Sequence, residues 1–271
     1  MTSRPAIVGH GVVGRAMKTL FPEAVVYDTA PGQPADKDAV NACDVAFVCV
    51  PTPGMDSGQC DISAVLECVE WLQTPLIVIR STVPPGTTES LSARSGKRIV
   101  FHPEYLGETP AHPYADVRQR DFIVLGGQRA DCQAVADLYA GVYHSAIRFY
   151  FTDATTAELA KYMQNAFFAT KVLFCTEFRK IAEALGVAYP ALREVWLADS
   201  RVSPDHTFSF PNDPGFAGKC LPKDLRAIIQ RAGQAGCTAR LLQSVWDVNT
   251  AYRARPGADC GDLDETSHHA L

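Results

Sequence analysis

The sequence predicts an α/β fold in which a doubly wound parallel sheet is followed by a long helix and a small all-α domain. In the first half, short apolar runs bounded by turn residues alternate with helical stretches, which is typical of strands buried on both faces of a parallel sheet. In the second half, one helical pattern extends from Asp153 to Gly186 and further helices follow. We therefore expect a sheet domain over residues 1–151, a helical domain over 152–254 and a disordered tail over 255–271.

The elements of the sheet domain follow from these short apolar runs. The predicted strands are Ala6 to Val8, Val25 to Tyr27, Val45 to Val50, Leu76 to Ile79, Ile99 to Phe101 and Phe122 to Leu125. The helices placed between them are Val12 to Leu20, Ser63 to Leu72 and Thr87 to Ala93. This alternation builds βαβ units, whose parallel strands end at one edge of the sheet, where ligands bind.

The long helix is predicted to begin after Asp153 as N-cap and to stop at Gly186. It is apolar around much of its circumference, so it has to be buried against something large. We expect it to link the two domains and to pack against a second copy of the chain; a helix lying across its own domain is the alternative. The further helices predicted are Tyr189 to Ala198, Pro222 to Ala232 and Ala239 to Ala254.

Composition excludes several classes of protein. The 271 residues are 47% hydrophobic with a net charge of −5 and no dense basic block, so nucleic acid is a poor choice of partner. No apolar run approaches the roughly 20 residues that span a membrane, and no export signal precedes the first strand. Nine cysteines without a C-x-x-C pair favour buried thiols in a reducing cytoplasm over disulfides or a zinc site, and we expect no metal.

The turn between the first strand and the first helix is glycine-rich. It reads GHGVVG at residues 9–14, in which Gly9 permits a tight turn, Gly11 admits a pyrophosphate and Gly14 lets the helix pack close to the sheet. Asp28 ends the next apolar run, where its carboxylate would accept hydrogen bonds from ribose hydroxyls and repel a 2′-phosphate. The pattern predicts a Rossmann-type domain that binds NAD rather than NADP. The alternative is a glycine-rich turn with an ordinary surface aspartate.

A second informative segment, GFAGKCLPKD, occupies residues 215–224. Pro222 suits the first turn of a helix, which places Cys220 just ahead of that helix's N-terminus. The helix dipole, with Lys219 and Lys223 nearby, would favour a thiolate there. Cys220 is therefore a candidate nucleophile, and each of the other eight cysteines is interpreted as a buried, inert thiol.

Polar residues on the long helix and in two loops complete the candidate site. Glu158, Lys161 and Asn165 project from one side of the helix, and a lysine and an asparagine one turn apart can stabilise a developing oxyanion. A solvated helix face is the alternative. The loops at residues 81–88 and 102–108 follow predicted strands and supply hydroxyls and two carboxylates.

Taken together, these segments resemble the UDP-glucose/GDP-mannose dehydrogenase family over roughly residues 5 to 254. The matching motifs are GHGVVG at 9–14, CVPTP at 49–53, STVPPGTT at 81–88, HPEYLGE at 102–108, AELAKYMQN at 157–165 and GFAGKCLPKD at 215–224. The resemblance implies oxidation of the C6 alcohol of a nucleotide sugar to a carboxylate, in two steps that reduce two NAD.

The resemblance also implies a role for each matching side chain. Cys220 matches the nucleophile that forms a thiohemiacetal and then a thioester, and Lys161 and Asn165 match the pair that stabilises the oxyanion. Asp224 matches the carboxylate that organises water and proton transfer. Glu104 matches the glutamate assigned to base catalysis in thioester hydrolysis.

Further matches concern the cofactor and the substrate. Thr82 and Glu108 match residues near the nicotinamide and the catalytic water, and Thr52 and Lys223 match other cofactor contacts. Arg201 matches an arginine that reaches the substrate of a neighbouring subunit. The implied substrate-binding residues are Glu104, Lys161, Asn165, Arg201 and Gly218.

Family members are usually longer, with a C-terminal domain that binds much of the nucleotide. We therefore expect a smaller or differently held substrate, or a separate chain that completes the site, and a homodimer formed through the long helix. Two alternatives stay open. One is a dehydrogenase of the β-hydroxyacid type, which transfers a single hydride and leaves the cysteine segment unexplained. The other is a non-catalytic NAD-binding subunit or regulator.

Overall fold

The computed structural model describes residues 3–106 and 116–254. The chain divides into two compact units, Met1–Lys161 and Tyr162–Leu271, so the division falls within the long helix. The predicted tail over 255–271, which includes Cys260, lies outside the described residues, as does Glu108.

A seven-stranded sheet forms the first unit, with strand order β2-β1-β3-β4-β5-β6-β7. The strands are β1 Pro5–Val8, β2 Val25–Tyr27, β3 Val45–Val48, β4 Leu76–Ile79, β5 Ile99–Phe101, β6 Phe122–Gly126 and β7 Arg148–Thr152. Strands β1 to β5 pair in parallel, and the chain moves from β1 outward to β2 before crossing to β3. This reversal is the point at which doubly wound sheets bind ligands.

Helices cover both faces of this sheet. Those of the first unit are α1 Val12–Leu20, α2 Lys37–Asn41, α3 Ser63–Trp71, α4 Thr87–Ser95 and α5 Arg129–Ala140. Successive strand residues point to opposite faces, so Ala6 and Val8 join the apolar cluster that contains Val65 of α3. Ile7 joins the other cluster, which contains Met17 of α1 and Tyr139 of α5. The predicted parallel α/β sheet is confirmed in this part.

Four features of the sheet unit differ from the sequence-based expectation. Strand β6 pairs antiparallel with β5, because the described part of their connection holds only a short 3-10 helix, Val117–Gln119, instead of a crossover helix. Strand β7 was not predicted, because it alternates between exposed and half-buried positions and so lacks a continuous apolar run. Helix α5 was also missed, although the apolar residues Cys132, Val135, Ala136 and Tyr139 have helical spacing. The short α2 was missed as well.

The second part of the chain is helical. Its elements are α6 Ala154–Ala184, α7 Tyr189–Trp196, α8 Leu221–Gln234 and α9 Arg240–Ala254. The Asp153 carboxylate accepts a hydrogen bond from the Thr156 N–H at 2.7 Å, which confirms the predicted N-cap of α6. Gly186 follows the helix with φ +70°, as predicted for its stop.

Helix α6 also carries an exposed apolar stripe. Its large exposed side chains are Leu159, Met163, Phe167, Phe174, Phe178 and Ile181, and their spacing of three, four or seven places them on one face. Inside the second unit, Leu173 of α6 packs with Leu225 of α8 and Val245 of α9. Among the described helices, we find none with the length and apolar character to cross a membrane.

Candidate active site

The glycine turn after β1 is shaped by backbone contacts. Gly9 has φ +93°, and a Cβ there would lie 2.8 Å from the backbone of Cys49. A Cβ on Gly14 would lie 1.9 Å from the Gly9 carbonyl oxygen, whereas one on Gly11 would meet nothing within 4 Å. Gly9 and Gly14 are thus required for close packing, and Gly11 leaves open space at the start of α1. That open space fits the pyrophosphate of a dinucleotide.

Asp28 is tied to this turn. Its carboxylate accepts hydrogen bonds from the His10 N–H at 2.5 Å and the Ala30 N–H at 2.8 Å. These backbone bonds, His10's first, lower the pKa of Asp28, because they favour its charged form. The carboxylate is only half-buried, so an ionised acceptor stands beside the turn, as a ribose site requires.

Two predicted cofactor contacts lie together at the carboxyl edge of the parallel strands. Thr52 follows β3 and Thr82 follows β4, and the Thr52 hydroxyl donates to the Thr82 carbonyl at 2.9 Å. Thr52 is buried, whereas Thr82 is half-buried. The hydrogen bond therefore joins the two loops next to the point where the chain reverses direction across the sheet.

Glu104, which follows β5 at the same edge, is more enclosed than the sequence suggested. One carboxylate oxygen accepts from Arg120 Nη2 at 2.6 Å and from the N–H groups of Tyr105 and Leu106 at 2.7 Å. The other oxygen is paired with Arg80 Nη2. The side chains of Glu104, Arg80 and Arg120 are buried. Neither arginine was singled out from the sequence, because each is an isolated basic residue until the fold brings them to one carboxylate.

Helix α6 directs its polar residues to different partners. Glu158 is fully buried and accepts from the N–H groups of Gly86 and Thr88 and from the Thr88 hydroxyl, at 2.6 to 2.8 Å. It therefore caps α4, a contact that the sequence did not predict. Burial raises the pKa of Glu158 to about 7, although these hydrogen bonds oppose the shift. The Lys161 ammonium lies 5.0 Å from the centre of the Tyr105 ring.

In the second unit, three predicted site residues form a network. The Asn165 amide donates to Asp224 Oδ2 at 2.5 Å, and Lys223 Nζ lies 2.6 Å from Asp224 Oδ1. Asp224 is buried, with 2% of its surface exposed. The fold therefore joins α6 to the first turn of α8 through one buried carboxylate.

Cys220 is the residue immediately before α8, as the sequence predicted, and Pro222 is in the first turn of that helix. Its side chain is exposed, and its carbonyl accepts the Asp224 N–H at 2.9 Å. An accessible thiol at the N-terminus of a fourteen-residue helix is in the environment that favours a thiolate.

The backbone of the cysteine segment is held from α9. The side chain of Asn249 accepts from the Phe216 N–H at 2.8 Å and donates to the Phe216 carbonyl at 3.1 Å. Gly215 and Gly218 have φ values of +81° and +83°. Asn249 is buried but was missed from the sequence, where it is one polar residue in a helical pattern.

Two further expectations concern exposed residues. Arg201, predicted to reach a neighbouring subunit's substrate, is exposed and paired with Asp199 at 2.5 Å. Cys237 was interpreted as a buried thiol, which is wrong: it is exposed, because the chain leaves α8 there. None of the eight cysteines within the described residues forms a disulfide, and those that are buried are Cys43, Cys60, Cys68, Cys132 and Cys175. In this same part of the chain, no group of three His, Cys, Asp or Glu side chains is placed to hold a metal ion.

Comparison with known sequences places both halves of the chain in one family. Residues 31–146 match the NAD binding domain of the UDP-glucose/GDP-mannose dehydrogenase family, and residues 155–251 match its central domain. The UDP-glucose 6-dehydrogenase of Pseudomonas aeruginosa is 32% identical over 219 residues, 74% of this chain and 47% of the relative. The GDP-mannose 6-dehydrogenase of Pseudomonas syringae is 31% identical over 79% of this chain and 52% of the relative. The chain thus spans about half the length of the curated relatives it matches.

Solved structures give a consistent result. A UDP-glucose dehydrogenase from Pyrobaculum islandicum superposes with a TM-score of 0.82 at 26% identity, covering 94% of this chain and 69% of that one. The 3-hydroxyisobutyrate dehydrogenase of Mycobacterium tuberculosis superposes with a TM-score of 0.71 at 17% identity, covering 95% and 96%. At that identity the second comparison shows a shared fold only.

Proposed function

The chain belongs to the UDP-glucose/GDP-mannose dehydrogenase family, and we propose that it is an NAD-dependent dehydrogenase that oxidises a primary alcohol of a nucleotide sugar to a carboxylate. The observation that carries the proposal is the exposed Cys220 thiol at the start of α8. The Cys220 carbonyl accepts the N–H of Asp224, which is the centre of the buried Asn165–Asp224–Lys223 network. The cofactor is NAD, in agreement with the NAD binding domain that residues 31–146 match.

The cofactor half of the proposal rests on the glycine turn and its neighbours. Gly9, Gly11 and Gly14 would receive the pyrophosphate at the N-terminus of α1, and Asp28 would accept the ribose hydroxyls. Thr52 lines the same edge of the sheet. Lys223, Thr82 and Glu108 remain proposed cofactor contacts from the family resemblance. When bound, NAD accepts one hydride in each of the two oxidation steps.

The chemistry of the first oxidation needs a proton acceptor and an oxyanion site. The alcohol carbon gives up a hydride and its hydroxyl gives up a proton, which would pass to water organised by Asp224, leaving an aldehyde. Lys161 and Asn165, one turn apart on α6, would stabilise the negative charge that develops on this oxygen. Asp224 orients the Asn165 amide by accepting its hydrogen bond.

The second oxidation needs a covalent intermediate so that the aldehyde is not released. The Cys220 sulfur forms a C–S bond to the aldehyde carbon, which gives a thiohemiacetal. Loss of a second hydride and of the hydroxyl proton gives a thioester. Water then adds to the thioester carbon, the C–S bond breaks, and the carboxylate leaves as the thiol is restored. Asp224 would help organise this water, and Glu104 is the base that the family resemblance suggests.

The test compares Cys220 with Cys237, the other exposed cysteine of the described residues. We expect the wild-type chain to form two NADH per acid. Cys220→Ser should lower acid formation by about 10³-fold or more, with stalling after the first hydride or a trapped adduct, whereas Cys237→Ser should match the wild type. The measurement is NADH and acid yield, with intact-protein mass spectrometry.

The same experiment separates the alternatives. One NADH per turnover with full activity in Cys220→Ser would support a single-hydride dehydrogenase, the class with which the chain shares its fold. Binding of NAD without turnover across a panel of nucleotides and nucleotide sugars would support a non-catalytic subunit.

We also propose that the exposed apolar stripe of α6 joins two copies of the chain. It includes Met163 and Phe167, which are 74% and 60% exposed, and burying such large side chains is favourable. Arg201, exposed in one chain, would then reach the partner's substrate, and a separate chain could complete the nucleotide site. A single-chain mass by light scattering at micromolar concentration would argue against the dimer.

A further inference from the structure

The loop that follows β4 spans residues 81–88, carries Thr82 and is fixed at its first residues by the neighbouring loop. The Ser81 hydroxyl donates to the Val50 carbonyl at 2.6 Å, and the Thr82 carbonyl accepts the Thr52 hydroxyl at 2.9 Å. The start of the loop is therefore held to the segment that follows β3, at the carboxyl edge of the sheet.

The far end of this loop is capped from another helix. The loop enters α4 at Gly86, which has φ +94° and, as a glycine, lacks the side-chain oxygen that commonly caps a helix. Glu158 of α6 supplies that acceptor: its carboxylate accepts the N–H groups of Gly86 and Thr88 at 2.6 and 2.8 Å and the Thr88 hydroxyl at 2.6 Å. Glu158 and Thr88 are at most 1% exposed, and donors left unpaired at such a depth are costly. The last residues of the loop therefore take their position from α6.

The start of α6 also packs against this loop. Ala154 and Ala157 of α6 belong to the same buried apolar cluster as Val83 of the loop and Leu91 of α4. Close packing of this kind resists relative movement of the parts that meet in it. Packing and the hydrogen bonds of Glu158 thus join the loop, α4 and the first turns of α6 within the sheet unit.

We propose that Glu158 is a positioning residue, which fixes the loop of Thr82 to the helix that carries Lys161. Lys161 follows Glu158 by about one turn of α6, so the helix keeps the two residues at a set spacing. The inference rests on the proposed function in one respect, namely that Thr82 contacts the nicotinamide of NAD. It goes beyond that function by naming what holds the cofactor loop in place relative to the residue that acts on the substrate oxygen. Hydride transfer depends on such alignment.

The first test compares the binding of NAD with that of ADP-ribose, which lacks the nicotinamide. Glu158→Ala removes the acceptor at the end of the loop. Titration calorimetry on the full chain should show an affinity for NAD that is lower by about fivefold and an unchanged affinity for ADP-ribose, because only the nicotinamide end meets Thr82. An equal loss for both ligands would show that the sheet unit is loosened in general, which would overturn the proposal. An unchanged affinity for NAD would also overturn it.

Asp153→Ala is the matched control. Asp153 caps α6 through the same kinds of donor, since its carboxylate accepts the Thr156 N–H and hydroxyl, each at 2.7 Å, but it is exposed. This variant should lower the unfolding temperature and keep the wild-type ratio of NAD to ADP-ribose affinity; a changed ratio would mean that lost stability alone moves it, against the proposal. If Glu158→Ala does not fold, Glu158→Gln decides, because it keeps the side-chain volume and one acceptor oxygen. A selective loss of NAD affinity in Glu158→Gln supports the proposal, and no loss overturns it.

Turnover gives a second readout, which asks whether Glu158 acts through Thr82. Glu158→Ala should lower kcat by about tenfold, and Thr82→Val should lower it as well. The double variant should be no slower than the slower single variant, because both changes remove the same contact. Effects that multiply would show that Glu158 acts independently of Thr82 and would overturn the proposal. If no nucleotide sugar is oxidised, the proposed function fails, while the comparison of NAD with ADP-ribose still decides the role of Glu158.

Discussion

The dinucleotide turn and the cysteine segment use glycine for different reasons. In the turn, Gly14 is needed because any Cβ would strike the Gly9 carbonyl at 1.9 Å. In the cysteine segment, Gly218 has φ +83° but open space around it. Steric packing therefore defines the first region. In the second region it acts at Gly215, where a Cβ would lie 2.5 Å from Asn249 Oδ1, whereas Gly218 only sets the backbone conformation that presents Cys220 at a helix end.

The difference teaches how each region can tolerate change. Where backbone atoms are in close contact, an added methyl group destabilises the fold, because the strand and helix can separate only by losing packing energy. A region that presents an exposed group can keep its fold and lose only its chemistry. Stability and activity should therefore respond differently to substitution in the two regions.

The largest expected effect is at Gly14. Gly14→Ala should destabilise the chain by about 3 kcal/mol, since the added methyl group forces the turn away from the sheet. Gly11→Ala is the matched control in the same turn; nothing lies within 4 Å of its Cβ, so it should leave stability nearly unchanged and weaken NAD binding. Urea unfolding and NAD titration measure both. Equal destabilisation by the two changes would contradict the claim that packing constrains Gly14 but not Gly11.

The carboxyl groups of Asp28 and Glu158 also differ, because their pKa values are shifted in opposite directions. Backbone N–H groups lower the pKa of half-buried Asp28, whereas burial raises the pKa of Glu158 to about 7 from 4.5. The folded chain thus holds the Glu158 proton more tightly than the unfolded chain, so its stabilisation is present below pH 4.5 and is lost as pH rises toward 7.

Because the pKa of Glu158 is raised in the folded chain, the unfolding free energy of the wild type should fall by about 2 kcal/mol between pH 5 and 7.5. Glu158→Gln removes the titrating group and keeps an acceptor for the N–H groups of α4. The unfolding free energy of this variant should therefore not show the fall that Glu158 causes between pH 5 and 7.5. Parallel pH profiles of unfolding free energy for the two proteins would contradict the assignment.

The smallest expected effect is at Gly218. Gly218→Ala should cost about 1 kcal/mol, because only the left-handed backbone conformation resists the substitution. Gly218→Asn should cost less, since asparagine tolerates that conformation. Thermal unfolding of both variants checks the order. A loss as large as that of Gly14→Ala would show that Gly218 is also constrained by packing.

Much of the fold was predictable because its signals are local. Apolar runs gave β2, β4 and β5 their observed bounds, and α1 was predicted from Val12 to Leu20 as found. The edge strand β7 was missed because two of its five residues are exposed and none is buried. The antiparallel direction of β6 depends on how the chain returns to the sheet, which no local pattern records.

The candidate site was likewise predictable only where its sequence signals are local. The positions of Gly9, Gly14 and Cys220 could be predicted, since a turn and a helix start fix them locally. The clamp on Glu104 by Arg80 and Arg120 could not, because residues far apart in the chain meet only when the sheet forms. The Asn249 contact with Phe216 likewise joins distant helical and loop segments.

The sequence by itself determined the alternation of strands β1 to β5 with their longer helices, the dinucleotide turn and the helix start that follows Cys220, because each depends on backbone preferences of neighbouring residues. Only the tertiary structure decided which charges are buried together, that Glu158 caps α4, and that a tyrosine ring lies beside Lys161. The physical reason is that desolvation and pairing energies depend on distances through space, and those distances are set when the chain packs.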